Sequence, residues 1–120
     1  MSFNLNIRNV NAAIVVDVDG RFTIGNPVDT FQRVMNEQYE GGQRHFVVNL
    51  AGASFVDSSG IGALIRVWTT LRRLREKSGL GAMVLLNVTP RMRDLLIITQ
   101  LSTTLLTFDD EAAAVAAALA

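Results

Sequence analysis

Cysteine is absent from the 120-residue sequence, which excludes disulfides, thiolate metal sites and a cysteine nucleophile. An excess of charge of either sign is also missing. The 11 basic residues are balanced by 11 acidic ones. A binder of duplex nucleic acid shows a basic surplus, so no nucleic-acid partner is expected. Histidine occurs once, as His45. With no acid at motif spacing beside it, a catalytic triad has no support, and His45 reads as a structural residue at a strand start. No apolar run is long enough for a membrane span. The start of the chain, MSFNLNIRN, lacks the apolar core and cleavage site of a secretory signal. The expected location is therefore the cytoplasm.

What is present points to a folded α/β chain. Apolar residues make up 49% and charged residues 18%, a globular balance. The length fits one domain over residues 1–120. Phe3, Leu5 and Ile7 alternate with Asn4, Asn6 and Arg8, which predicts a strand with one wet face. A tight connection at Asn9-Val10-Asn11 then leads to a second strand over 12–18. Its residues Ile14, Val16 and Val18 share a face, and the two strands form an antiparallel hairpin. Asp19–Asn26 reads as a polar loop. Asn26 caps a helix with Pro27 at its first position. Val28, Phe31, Val34 and Met35 recur at helical spacing, and Gly41-Gly42 ends the helix.

Phe46–Leu50 is a short apolar run suited to a buried parallel strand. A loop over 51–56 leads to a helix striped by Ile61, Leu64, Ile65, Trp68, Leu71 and Leu74, so Trp68 reads as core. Arg72, Arg73, Arg75 and Lys77 crowd the end of that helix before Gly79, where cations suit the helix dipole. Ala82–Leu86 is another buried strand. Thr89-Pro90 opens a third helix, with Met92, Leu95, Leu96 and Ile98 facing inward. Thr104–Phe108 is a last strand. Asp109 caps an alanine-rich helix over 112–120, with Asp110 and Glu111 in its first turn.

The order is β-β-α-β-α-β-α-β-α. It predicts a mixed, mostly parallel five-stranded sheet with an N-terminal antiparallel hairpin strand and four helices. In such a sheet the strand-to-helix loops share the strands' C-terminal end. Asp19–Asn26, Ala51–Ser59 and Asn87–Pro90 are thus expected to form one surface, with Arg91 and Arg93 at the same end.

The chemistry-bearing stretch is Val56-Asp57-Ser58-Ser59-Gly60-Ile61-Gly62. Either Asp57 or Ser58 can cap the helix. If Asp57 caps, the Ser58 hydroxyl stands near solvent. Two glycines in a first turn weaken a helix and need a reason. One reason is close packing of helix on sheet; the other is clearance for another protein's active site.

Residues 55–64, Phe-Val-Asp-Ser-Ser-Gly-Ile-Gly-Ala-Leu, resemble the signature of STAS-domain anti-sigma factor antagonists. The likeness extends over most of the chain: His45–Leu50, Gly79–Leu86, Thr89-Pro90-Arg91 and Leu95–Leu101. It implies a STAS fold and a partner-switching role without enzyme activity, cofactor or metal. The unmodified protein would bind an anti-sigma factor that is also a serine kinase, freeing a sigma factor. That kinase would phosphorylate Ser58, and a PP2C-type phosphatase would reverse it. The implied partner-binding residues are Asp57, Ser58, Ser59, Gly60, Gly62, Gly20, Arg21, Thr23 and Arg91. One departure stands out. The family's Gly-x-Leu-Asp loop reads Gly20-Arg21-Phe22-Thr23 here, so Thr23 replaces an acidic residue. That leaves open a divergent regulatory pair or a stressosome-like assembly.

Other features read more plainly. Asp17 and Asp19 could mark a metal pair, but at this spacing near a strand end they more often face solvent or cap a turn. Gly60-Ile61-Gly62 is a fragment of a dinucleotide fingerprint, with Ile65 where the last glycine belongs. Phe3, Leu5 and Ile7 on an edge strand offer a surface for a homodimer. Two rival functions remain: a STAS subunit of a membrane transport system for lipids or anions, and a small serine hydrolase using Ser58.

Overall fold

Strands β1 (Phe3–Val10) and β2 (Ala13–Phe22) form the antiparallel hairpin in the computed structural model, which describes residues 3–120. The ladder runs to Val10↔Ala13, so the turn is Asn11-Ala12, later than the sequence suggested. Asn11 takes φ +56°, a left-handed conformation that asparagine tolerates better than most residues. Three further strands complete the sheet: β3 (His45–Val56), β4 (Ala82–Leu86) and β5 (Thr107–Phe108). Their order is β1-β2-β3-β4-β5, and every pair after the hairpin is parallel. The helices are α1 (Asn26–Glu40), α2 (Ser58–Ser78), α3 (Pro90–Ile98) and α4 (Glu111–Leu119).

Successive strand residues point to opposite sheet faces, and both faces are covered. Ile14, Val16 and Val18 of β2 join Phe46, Val48 and Leu50 of β3 under α1, α2 and α3. Ala13, Val15, Val47, Val84 and Leu86 face Ala114, Val115 and Ala118 of α4. Alanines let α4 lie close on the sheet, and Phe31 and Met35 supply bulk on the other side. Phe3, Leu5 and Ile7 pack against the larger core. Those side chains are half-buried, and β1 remains an edge strand of the sheet.

Several boundaries differ from the sequence reading. Of the segment 19–26 expected as a loop, residues 19–22 are strand, and so is all of 51–56. Polar and small residues there (Asp19, Gly20, Gly52 and Ser54) hide the alternation, and the ladder between β2 and β3 shifts register twice, between Asp17 and Asp19 and between Gly20 and Arg21. Backbone pairing overrides the local pattern. The cap of α1 is Gly25, with no side-chain bond, not Asn26. The cap of α4 is Asp110, accepting from Ala113 N, not Asp109. Residues 104–106 lie outside β5. Ile98 is 76% exposed instead of inward-facing. On α2 the fully buried apolar line is Ala63, Leu64, Val67 and Leu71; Ile61, Ile65, Trp68 and Leu74 flank it half-buried.

Single polar residues are also placed. Asp17 faces Arg8 of β1, not open solvent, with Arg8 Nε to Asp17 Oδ2 at 2.7 Å. Arg8 also binds Glu111 at the start of α4. The Arg8 hydrogen bond, which outweighs desolvation, holds the Asp17 carboxyl below the usual carboxylate range. Asp17 Oδ1 accepts from Asn49, whose own Oδ1 accepts from Asn87. Arg8, Asp17, Asn49 and Asn87 thus link β1, β2, β3 and the end of β4 in a polar row. His45 Nδ1 lies 2.8 Å from the carbonyl of Ala118, tying β3 to the end of α4.

Candidate functional site

The site begins where β3 becomes α2. Val56 ends the strand and Ser58 begins the helix, so Asp57 is the whole connection. Its backbone is extended, and its carboxylate works in two directions. Oδ1 accepts from Gly60 N at 2.8 Å, closing the first turn of α2. Oδ2 accepts from Ile24 N at 3.1 Å, drawing in the β2–α1 loop. Desolvation pushes the Asp57 carboxyl upward, but N–H groups of Gly60, Ile24, Ser59 and Asp57 itself more than offset it. The carboxyl titrates below its ordinary value and is anionic at neutral pH.

With Asp57 as cap, Ser58 occupies the first helical position, and its residue is exposed. Ser59 is half-buried and Gly60 is buried. The two glycines have different reasons. A Cβ on Gly60 would run into the carbonyl oxygen of Phe22 and stand 2.9 Å from Val56 Cγ1. Gly60 is therefore demanded by the close approach of α2 to the end of β2. At Gly62 a Cβ would meet only the flexible end of Arg66, at 3.5 Å. Packing explains the first glycine and not the second.

Beside Ser58 a groove runs between α2 and α3. Phe55, Val56, Ile61 and Leu95 line it, with Ser58 and Arg91 on its walls. Phe55 carries two cations. The guanidinium carbon of Arg21 lies 4.9 Å from the ring centroid, and that of Arg91 lies 5.4 Å from it. The three chain segments named from the sequence thus meet here: β2 through Arg21, the β3–α2 junction through Phe55 to Ser58, and α3 through Arg91. Phe55 as the meeting point was not legible, because nothing in its spacing shows which arginines reach it. Arg93 instead pairs with Asp109 at 3.4 Å.

The remaining residues named from the sequence sit around this site. Gly20 lies within β2, paired with Phe3 and Ala53, and has φ +99°. Thr23 follows β2, half-buried, and its carbonyl accepts from Val28 N at 3.3 Å. Ile24, which the sequence reading overlooked, is 76% exposed at the same end of the sheet. Among the described residues, no group of three His, Asp or Glu side chains is placed to hold a metal. No described helix is long and apolar enough to cross a membrane.

Comparison with known proteins agrees with this architecture. The family model for the STAS domain matches residues 4–114. No curated protein sequence matches the chain significantly. Among solved structures, an anti-sigma factor antagonist from Mycobacterium paratuberculosis superposes with TM-score 0.80 at 17% identity, covering 99% of this chain and 96% of its own. The Bacillus cell-fate determinant SpoIIAA in its phosphorylated form gives 0.65 at 23%, covering 93% and 96%. A sulfate transporter family protein from Wolinella succinogenes gives 0.68 at 21%, covering 92% and 87%. At these identities the likeness establishes the fold.

Proposed function

From the premise that this chain belongs to the STAS domain family, we propose that it acts as an anti-sigma factor antagonist, one STAS domain switched by phosphorylation at Ser58. Unmodified, it binds an anti-sigma factor that is also a serine kinase, and so releases a sigma factor. The kinase passes the γ-phosphoryl group of ATP to Ser58 Oγ, the hydroxyl proton leaves to a base, and ADP departs. A PP2C-type phosphatase restores the hydroxyl. The protein is substrate and switch; it catalyses nothing itself.

One observation carries this reading: Asp57, not Ser58, makes the cap bonds, and Ser58 stands exposed at the first position of α2. Modification of Ser58 breaks no bond that the fold relies on. A phosphate adds about −1.5 to −2 charges at neutral pH, and a helix N-terminus accommodates them. Inside a closed interface the same group must lose its water or find a cation. Turning binding from nearly full to nearly absent requires about 5.5 kcal/mol, which desolvation of a dianion beside Asp57 can supply. The test incubates the protein with a purified anti-sigma kinase and radiolabelled ATP, then compares Ser58→Ala and Ser58→Asp for kinase binding. Label confined to Ser58, with binding kept by the alanine form and lost by the aspartate form, supports the switch. Equal binding by both forms refutes it.

A second reading is a STAS subunit of a membrane transport system. The Wolinella sulfate transporter family protein has the same fold, which is what favours it. Copurification with a transporter, unaffected by Ser58→Asp, would select this reading over the first.

A further inference from the structure

Arg21 and Arg91 come from distant parts of the chain and converge on one aromatic ring, at 4.9 and 5.4 Å from the Phe55 centroid. Both arginines are exposed. Neither forms an ion pair among the described residues, in contrast to Arg8, Arg33, Arg72 and Arg93. Two like charges gathered on one ring repel each other, and stacking on Phe55 offsets part of that cost. Arg91 stands on the wall of the apolar groove that runs past Ser58, and Arg21 lies over the Phe55 ring that lines it.

We propose that Arg21, Arg91 and Phe55 form a clasp for a carboxylate-bearing apolar segment of the protein partner that docks over Ser58. The guanidiniums take the carboxylates, which they match in fork geometry. Phe55, Val56, Ile61 and Leu95 take the apolar side chains. The exposed Ile24 extends the contact on the far side of Asp57. Thr23 fits the same picture, since a carboxylate there would place a negative charge in the loop that follows Arg21. A phosphate on Ser58 then acts twice. It brings negative charge against the incoming carboxylates, and it competes for Arg91 on the same groove wall.

An acidic protein segment fits better than an anionic bilayer. The groove lies between two helices, Arg91 is its one basic lining residue, and Arg21 joins it only across the Phe55 ring. A bilayer surface favours a larger basic cluster.

This inference rests on the switch reading for its partner but is tested separately from it. The probe is a fluorescent peptide of alternating Leu and Glu, compared with its Leu-Gln and Leu-Lys counterparts by anisotropy. The Leu-Glu peptide is expected to bind wild type, more weakly as salt rises. Arg21→Ala and Arg91→Ala each weaken it roughly tenfold, and the unfolding midpoints of both variants stay near wild type. Equal affinity for Leu-Glu and Leu-Gln peptides, no binding of any peptide, or preferential binding to phosphatidylserine vesicles overturns the proposal. If both arginines matter while Ser58→Asp changes nothing, the clasp stands and the switch falls. If Ser58→Asp releases the anti-sigma kinase while Leu-Glu and Leu-Gln peptides bind alike, the reverse holds.

Discussion

The junctions β3–α2 and β4–α3 solve the same problem with different residues. Each enters its helix through an extended cap residue, but β3–α2 is that one residue alone, whereas β4–α3 runs over Asn87-Val88-Thr89. At α3 the cap is Thr89, whose hydroxyl accepts from Met92 N at 3.2 Å within its own helix, and Pro90 follows at the first helical position. At α2 the cap is Asp57, which holds both its own helix and the neighbouring loop, and exposed Ser58 follows. Proline suits that position because the missing N–H would have had no partner. Serine there offers an accessible hydroxyl instead. The contrast teaches that the α2 junction carries more bonds than a helix start needs, and frees its first side chain from structural duty.

The strongest way to break this comparison is at Gly60. Gly60→Ala drives a methyl group into the Phe22 carbonyl, and overpacking of this kind costs about 3 kcal/mol. Urea unfolding would read the loss directly; a stability within error of wild type would mean that α2 can lift off β2 freely. Next comes the cap. Asp57→Ala removes two bonds, and we expect a loss of about 2 kcal/mol against about 1 kcal/mol for Thr89→Ala. The pH dependence sharpens the difference. The folded carboxyl of Asp57 titrates below its unfolded value, so its contribution is full above the unfolded pKa of about 3.9. It fades as pH falls through the lowered folded value. The stability gap between wild type and Asp57→Asn should therefore close in acid, whereas the Thr89→Ala gap should be flat over the same range.

Smaller effects follow. Gly62 has room for a methyl group, so Gly62→Ala should stabilise the protein by about 0.5 to 1 kcal/mol. If the alanine form also loses kinase binding, Gly62 serves the partner and not the fold. The smallest change is expected at Ser58, the proposed switch residue. Ser58→Asp should alter the unfolding free energy by less than about 0.5 kcal/mol, with an unchanged circular dichroism spectrum.

Much of this was legible in the sequence because it depends on local chemistry. The Asp57 and Thr89 helix starts, Gly79 as the left-handed end of α2 and the Ala82–Leu86 strand are each signalled within a few residues. The strand ends were not, because Asp19-Gly20 and Gly52 look like turn residues until a neighbouring strand pairs with them. The cap of α4 slipped by one residue because Asp109 and Asp110 are chemically equivalent in sequence. At the site, the Asp57-Ser58 pair could be read directly. The gathering of Arg21 and Arg91 on Phe55 joins residues from three elements, and no short-range pattern records it.

The two slips in the β2–β3 ladder have an arithmetic consequence. Ile14 pairs with Phe46, but Phe22 pairs with Val56, so β3 spends two more residues than β2 over the same distance. Two is an even number, and Val56 therefore still turns toward the larger core, as Val48 does. Deleting one residue between Leu50 and Phe55 would invert Phe55 and Val56 and aim the junction wrongly. Deleting a pair would restore the parity, which makes this stretch tolerant of length changes only in steps of two.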